Sequence, residues 1–178
     1  GPYQLEGKDY SGQEWFREVL ESGIYISDVF LGYRKVPHLV IAVRGTSENG
    51  SFYVLRASLS IAPFEDLLYN LMLAGTGDAF IINHEGILQT STRYHGGVLQ
   101  KLSLSVPDYS SKTMVREERS PSGQDLIIGY SYIDETPFIL MIVKSKRQCM
   151  EPCFKVGLEL MAFLLISITV ILTVILGT

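Results

Sequence analysis

The sequence predicts an α+β fold, built from antiparallel hairpins with a few helices and ending in a membrane-spanning helix. Three observations carry that expectation. Asn49-Gly50 joins two apolar runs, HLVIAVR (38–44) and FYVLRASLSI (52–61), and both residues of such a pair tolerate the positive φ of a tight turn. Turn signals at Pro121-Ser122-Gly123 and across Asp134 to Pro137 separate three further β-rich runs. The last nineteen residues, LMAFLLISITVILTVILGT, carry no charged side chain. A hydrocarbon core needs about 20 apolar residues, so this tail is long enough to cross.

Taken in order, Ser11-Gly12-Gln13-Glu14 reads as a capping box, with Ser11 as N-cap and Glu14 at the third helical position. The helix runs through WFREVLES and stops at Gly23. Trp15, Phe16, Val19 and Leu20 fall on one face, which is therefore buried. Ile24-Tyr25-Ile26 follows, then a loop with Gly32 and Pro37, then the Asn49-Gly50 hairpin. Pro63 opens a second helix that runs to Leu73, proline being suited to a first turn. A second unit starts at Gly75. Its DAFIINHEGILQT segment (78–90) reads as strand, tight turn at Asn83 to Gly86, and returning strand. Residues 90–112 read as a polar, flexible stretch. Strands are expected at Thr113–Arg119, Asp125–Ile133 and Pro137–Lys144, the last leading toward the membrane segment. The expected organisation is thus 1–74, 75–147, a juxtamembrane linker at 148–159, and a transmembrane helix at 160–178.

Bulk properties exclude some functions. The net charge of −4 comes without a basic stripe, which argues against nucleic acid as a partner. No histidine stands at i, i+4 from another ligand, and no phosphate-binding glycine loop or nucleophile elbow is present. No catalytic residues, metal or cofactor are expected in this segment. The two cysteines, Cys149 and Cys153, read equally as a short disulfide in an oxidising compartment or as free thiols. The first residues, GPYQLEGKDY, form neither a basic n-region nor an apolar h-region, so an exported domain would need a membrane helix upstream.

Several segments together resemble the double-Cache extracytoplasmic sensor family. The resemblance rests on Trp15-Phe16 in the first helix, Tyr25-Ile26-Ser27-Asp28 after it, and Pro37-His38 opening the next strand. It continues in GDAFIINHEGILQTS (77–91) and GYSYIDETPFILMIVK (129–144). The stretch YISDVFLGYRKVPHLVIAV is most similar to sensors of bacterial two-component histidine kinases, and chemoreceptors and diguanylate cyclases share the module. The resemblance implies a PAS-like fold, N-terminally incomplete in the distal unit. A membrane-distal unit would hold a ligand, and a membrane-proximal unit would relay to the transmembrane helix. It also implies a homodimeric receptor in the bacterial inner membrane with the sensor outside, and kinase chemistry beyond Thr178.

The same resemblance assigns candidate ligand-binding residues. Amino-acid-binding members carry an Arg two positions before the Trp, where Gln13 stands, and a Tyr after it, where Phe16 stands. Phe30 lies near a second family Tyr, and Ser58 near the Asp that pairs an α-amino group. Without those charges the pairs that recognise a zwitterion are absent. What remains is an aromatic box of Trp15, Phe16, Tyr25, Phe30 and Tyr33, with Asp28 beside it and Arg56 as a cation for a small-molecule carboxylate. Each has a plainer reading: Trp15 as core, Asp28 as a turn cap, Arg56 as a salt-bridge partner of Asp28 or a solvent residue. Strand alternation sets Arg56 with Val54 and Ser58, opposite Leu55, Ala57 and Leu59, which favours the plainer role. A competing topology keeps the α+β domain in the cytoplasm as a tail-anchored protein, because Lys144, Lys146, Arg147 and Lys155 precede the tail.

Overall fold

Helix α1 spans Glu14–Ser22 in the computed structural model, which describes residues 7, 9–31, 35–71 and 77–176. Its start corrects the capping-box expectation. Gln13 is the N-cap, extended at φ −83° and ψ 139°, and no side chain caps the helix. The Ser11 N–H donates to Asp9 Oδ1 at 2.9 Å, so residues 9–11 close an Asx turn instead of a helical one. An aspartate that captures a nearby amide competes with the helix for it, and Gly12 adds an entropic penalty against helix at that position. The far end behaves as expected. Gly23 adopts φ 84° and its N–H donates to Val19 O at 3.0 Å. The Arg44 guanidinium also donates to the Leu20 carbonyl, satisfying another helix-end acceptor.

The first sheet is centred on β3 (Pro37–Thr46). β4 (Phe52–Ser60) pairs along one side of it, and β1 (Ile24–Ile26) and β2 (Phe30–Leu31) pair in succession along the other. All pairings are antiparallel. Gly50 turns the β3–β4 hairpin at φ 81°, as the Asn49-Gly50 signal requires. Helix α2 (Ala62–Asn70) follows, with Pro63 in its first turn and Leu68 buried. The expected extension to Leu73 and the unit boundary at Gly75 lie outside the described residues.

The second sheet has the order β5-β8-β7-β6, antiparallel throughout, from β5 (Gly77–Asn83), β6 (Met114–Arg119), β7 (Asp125–Tyr132) and β8 (Phe138–Ser145). Alternation places Phe80 and Ile82 on one face, opposite Met141 and Ile139 in register, and all four are fully buried. The returning strand expected after Gly86 is replaced by two isolated bridges, Ile82↔Leu88 and Ile87↔Lys101. Leu88 instead exchanges backbone bonds with Leu99 and Gln100. The stretch expected to be flexible is packed, and Leu102, Leu104 and Pro107 are buried. Three apolar side chains spaced through a polar segment suffice to pin it across the core.

The two units touch through defined contacts. Val29, Leu39, Ile61 and Phe138 form one buried cluster. The Val29 N–H donates to Gln89 Oε1 at 2.6 Å, and Asn83 Nδ2 donates to Asp28 Oδ2 at 2.8 Å.

Helix α3 runs from Lys146 to Leu176, 31 residues, continuing without a break through 148–159 and past Pro152. A proline removes one helical hydrogen bond, and the remaining turns hold the axis together. The helix is long and apolar enough to cross a membrane, and none of its most apolar stretch is buried in the fold. Ser167 and Thr169 hydroxyls donate to carbonyls four residues back, which satisfies them without water. Cys149 and Cys153 are free thiols one turn apart on this helix.

Candidate ligand-binding site

Strand register builds the distal cleft. Cross-strand partners share a face of the sheet, so the pairs Tyr25↔Ala42, Phe30↔His38, Val40↔Ser58 and Ala42↔Arg56 put Tyr25, Phe30, Val40 and Arg56 on one side. Helix α1 lies over that side, held by fully buried Val19. Between helix and sheet is a cleft of about 360 Å³ lined by Gln13, Trp15, Tyr25, Ser27, Asp28, Phe30 and Val40. Pockets for small molecules typically measure about 300–1,000 Å³, so the volume suits a compact ligand.

Of the expected residues, Trp15, Tyr25, Asp28 and Phe30 line this cleft. Phe16 stands one layer back, its ring edge-on to Trp15 at 5.6 Å, with Tyr10 on the same indole at 5.6 Å. Tyr33 lies outside the described residues. Arg56 is exposed, with its guanidinium stacked over the Trp15 ring at 5.2 Å. Among the described residues it makes no salt bridge to Asp28 or any other acid. The face it shares with Val54 and Ser58 carries α1, whereas Leu55 on the opposite face is 66% exposed. Neither face of β4 is closed, since Arg56 and Ser58 are exposed as well and only Val54 is half-buried.

Ser27 and Asp28 organise the cleft floor. The Ser27 hydroxyl accepts the Val40 N–H at 2.8 Å and donates to Asp28 O at 2.7 Å. Asp28 accepts from Asn83 across the unit boundary through one carboxylate oxygen. Asn83 in turn fixes its own turn, its Oδ1 accepting the Glu85 and Ile87 N–H groups. Sequence reasoning did not single out Ser27 or Val40 as wall residues, and it set Gln13 at the place of the family's ligand-holding Arg without counting it as a binding residue. Only Ser27 and Gln13 had a signal, through their places beside Asp28 and Trp15. Chemically, the cleft offers aromatic faces, one carboxylate, hydroxyl and amide groups, and a guanidinium at its rim. It has no paired acid and base or metal-ligand set, and no group of three metal-ligating side chains occurs among the described residues.

No protein-family model matches the sequence, and no curated protein sequence does. Solved structures do resemble the fold. The ligand-binding domain of the Pseudomonas aeruginosa PAO1 amino acid chemoreceptor PctC, in complex with GABA, matches with a TM-score of 0.62 at 18% identity, over 81% of this chain and 66% of that one. The corresponding domain of P. aeruginosa PctB, in complex with L-Arg, gives 0.62 at 17% identity, over 86% and 63%. The extracellular domain of mmHK1S-Z2, assigned as a histidine kinase, gives 0.60 at 12% identity, over 78% and 57%. The chain thus spans less than two thirds, or just about that, of the lengths it matches. Together with two antiparallel sheets and a terminal helix that fits a membrane span, these likenesses show the double-Cache, PAS-like fold shared by chemoreceptors and sensor histidine kinases.

Proposed function

We propose that this chain is the extracytoplasmic sensing part of a membrane signal-transduction receptor. A small molecule binds the Trp15–Tyr25–Phe30 cleft, and α3 carries the response across the bilayer. The observation that carries this reading is the convergence of Trp15, Tyr25, Asp28 and Phe30 on one cleft in a unit away from the membrane helix. Asp28 belongs both to the cleft and to the bond with Asn83 of the proximal unit, so a charged ligand in the cleft acts electrostatically on an inter-unit contact. Signalling requires that the ligand bind two arrangements of that boundary with different affinity.

A chemoreceptor output has the broader support, because chemoreceptor domains match over more of this chain than the kinase domain does. A histidine kinase is the second reading, supported by the wording of residues 25–43 and by the kinase-assigned likeness. For the ligand we propose a small carboxylate, its acid at Arg56 and its apolar part against Trp15. The receptor acts as a homodimer in the inner membrane.

Trp15 is the single tryptophan of the chain, so its fluorescence reports the cleft directly. A panel of small carboxylates and their amides, titrated into the chain in nanodiscs, should quench or shift Trp15 saturably with a carboxylate. Arg56→Ala should weaken that carboxylate about tenfold or more, equivalent to about 1.4 kcal/mol, and leave its amide unaffected. Indifference of Trp15 to the whole panel defeats the cleft assignment. Orientation is tested by protease treatment of intact spheroplasts: an extracytoplasmic domain is cut, and a protected one establishes the cytoplasmic, tail-anchored alternative.

A further inference from the structure

A second cavity, of about 530 Å³, lies in the membrane-proximal unit, between β5, the β6–β7 turn, the end of β8 and the first turn of α3. Its floor holds Asp78, which is 2% exposed. One carboxylate oxygen, Oδ2, accepts the backbone N–H groups of Arg93 at 3.0 Å and Tyr94 at 3.2 Å. The other, Oδ1, is buried and has no hydrogen-bond partner among the described residues. A buried carboxylate oxygen without a donor is costly, and Asp78 borders the cavity, so a donor that enters by the cavity and displaces the thin cover over Oδ1 would satisfy it.

The lining supplies no cation of its own. It contains no lysine or arginine. Lys144 is the nearest basic residue on β8, but it pairs in register with Gly77, and Asp78 pairs with Val143, so Lys144 lies on the opposite face. His95 also borders the cavity, and burial holds its imidazole below the ordinary histidine range, leaving it neutral at pH 7. The rest of the wall is rich in hydroxyl and amide groups, including Ser103, Ser122, Ser145 and Gln148. These partners suit ligand hydroxyls, and the lone carboxylate suits an ammonium. A carboxylate or zwitterion finds no counter-charge there.

We propose that the membrane-proximal unit carries a second ligand site, for a small primary amine bearing hydroxyl groups, with the ammonium held by Asp78 Oδ1. Ser145 ends β8 and Gln148 lies in the first turn of α3, so an occupant touches the joint from which the membrane helix departs. The inference is independent of the distal cleft and stands whatever that cleft binds.

The test uses the full chain in nanodiscs with 13C-labelled histidine. The probes are ethanolamine and D-glucosamine, with ethylene glycol and D-glucose as counterparts that lack the amine. At least one amine should shift the His95 ring resonances saturably while His38 and His84, elsewhere in the fold, stay unmoved. The neutral counterparts should shift nothing. Asp78→Asn should weaken binding at least tenfold without loss of fold, because the asparagine oxygen still accepts the Arg93 and Tyr94 N–H groups. Ser122→Trp, on the exposed β6–β7 turn, should block the cavity with Asp78 intact, so it carries the test if the Asn variant does not fold. The proposal is overturned if neither amine moves His95, if the neutral counterparts bind equally well, or if both variants bind as the parent does. A response at Trp15 alone would locate the amine in the distal cleft and likewise overturn it.

Discussion

The two sheets of this chain share a strand count and an antiparallel plan, yet they are packed very differently. In the proximal sheet, six of the seven residues of β5 are buried. In the distal sheet, no residue of β4 is fully buried, and Phe52 and Leu55 stand 60% and 66% exposed. The proximal unit holds its own closed core of Phe80, Ile82, Leu88, Ile128, Ile139 and Met141. The distal unit packs three buried side chains, Val29, Leu39 and Ile61, in a cluster with Phe138 of the other unit. The difference teaches a division of labour. One sheet is a closed base joined to α3, and the other is a lightly covered platform that shares a buried cluster with that base.

The largest expected effect separates the two packing regimes. Ile139→Ala removes three carbons from a side chain with no exposure, and such truncations cost about 2–5 kcal/mol, because transfer and cavity terms add. Leu55→Ala, on the open face of β4, should stay within about 0.5 kcal/mol. Denaturant unfolding followed by near-UV circular dichroism measures both. Comparable losses for the two variants would show that β4 is covered in solution and would erase the contrast.

The second effect probes the boundary. Gln89 is 2% exposed and provides the acceptor for the Val29 N–H from across the units. Gln89→Ala leaves that amide buried without a partner, at a cost of about 1–3 kcal/mol. Hydrogen exchange at Val29 should accelerate, while Ile82 in the proximal core keeps its protection. Unchanged exchange at Val29 would mean the distal platform is held by the apolar cluster alone.

Local signals foretold the elements that local chemistry decides. Asn49-Gly50 and Pro121-Ser122-Gly123 turn where expected, with positive φ at both glycines, and Gly23 stops α1. The grouping of the cleft residues was legible in part, since Trp15, Tyr25, Asp28 and Phe30 fall close together in sequence, and β1 and β2 both pair with β3 beside the helix that carries Trp15. Contacts between distant residues left no such mark. The Arg56–Trp15 stack and the Asp28–Asn83 bond each join different elements, and neither periodicity nor turn chemistry encodes the partner. Hydropathy marks only the charge-free stretch from Leu160, whereas helical hydrogen bonding begins at Lys146, where a salt bridge to Glu117 fastens the first turn to β6. Asp78 was passed over because a lone aspartate in a strand reads as an ordinary polar residue until its burial is known.

The smallest expected effect is a pH dependence confined to the base. His95 is half-buried, with its ring 5.5 Å from that of Phe80. Burial lowers its pKa from the ordinary histidine value, and the charge of Asp78 opposes that shift. In the folded state the neutral imidazole is therefore favoured relative to the unfolded chain, where histidine titrates near about 6.5. Above that value neither state carries the proton, and the His95 contribution is fully present. As the pH falls below it, the unfolded chain takes up the proton first, and stability declines until the folded-state pKa is passed. Unfolding midpoints measured between pH 7.5 and 5 should fall, and His95→Gln should flatten that slope. Asp78→Asn removes the charge that helps the folded imidazole hold a proton, so the slope should steepen. A slope that flattens instead would show that Asp78 does not act on His95 as a charge, and that the base owes its pH response to another group.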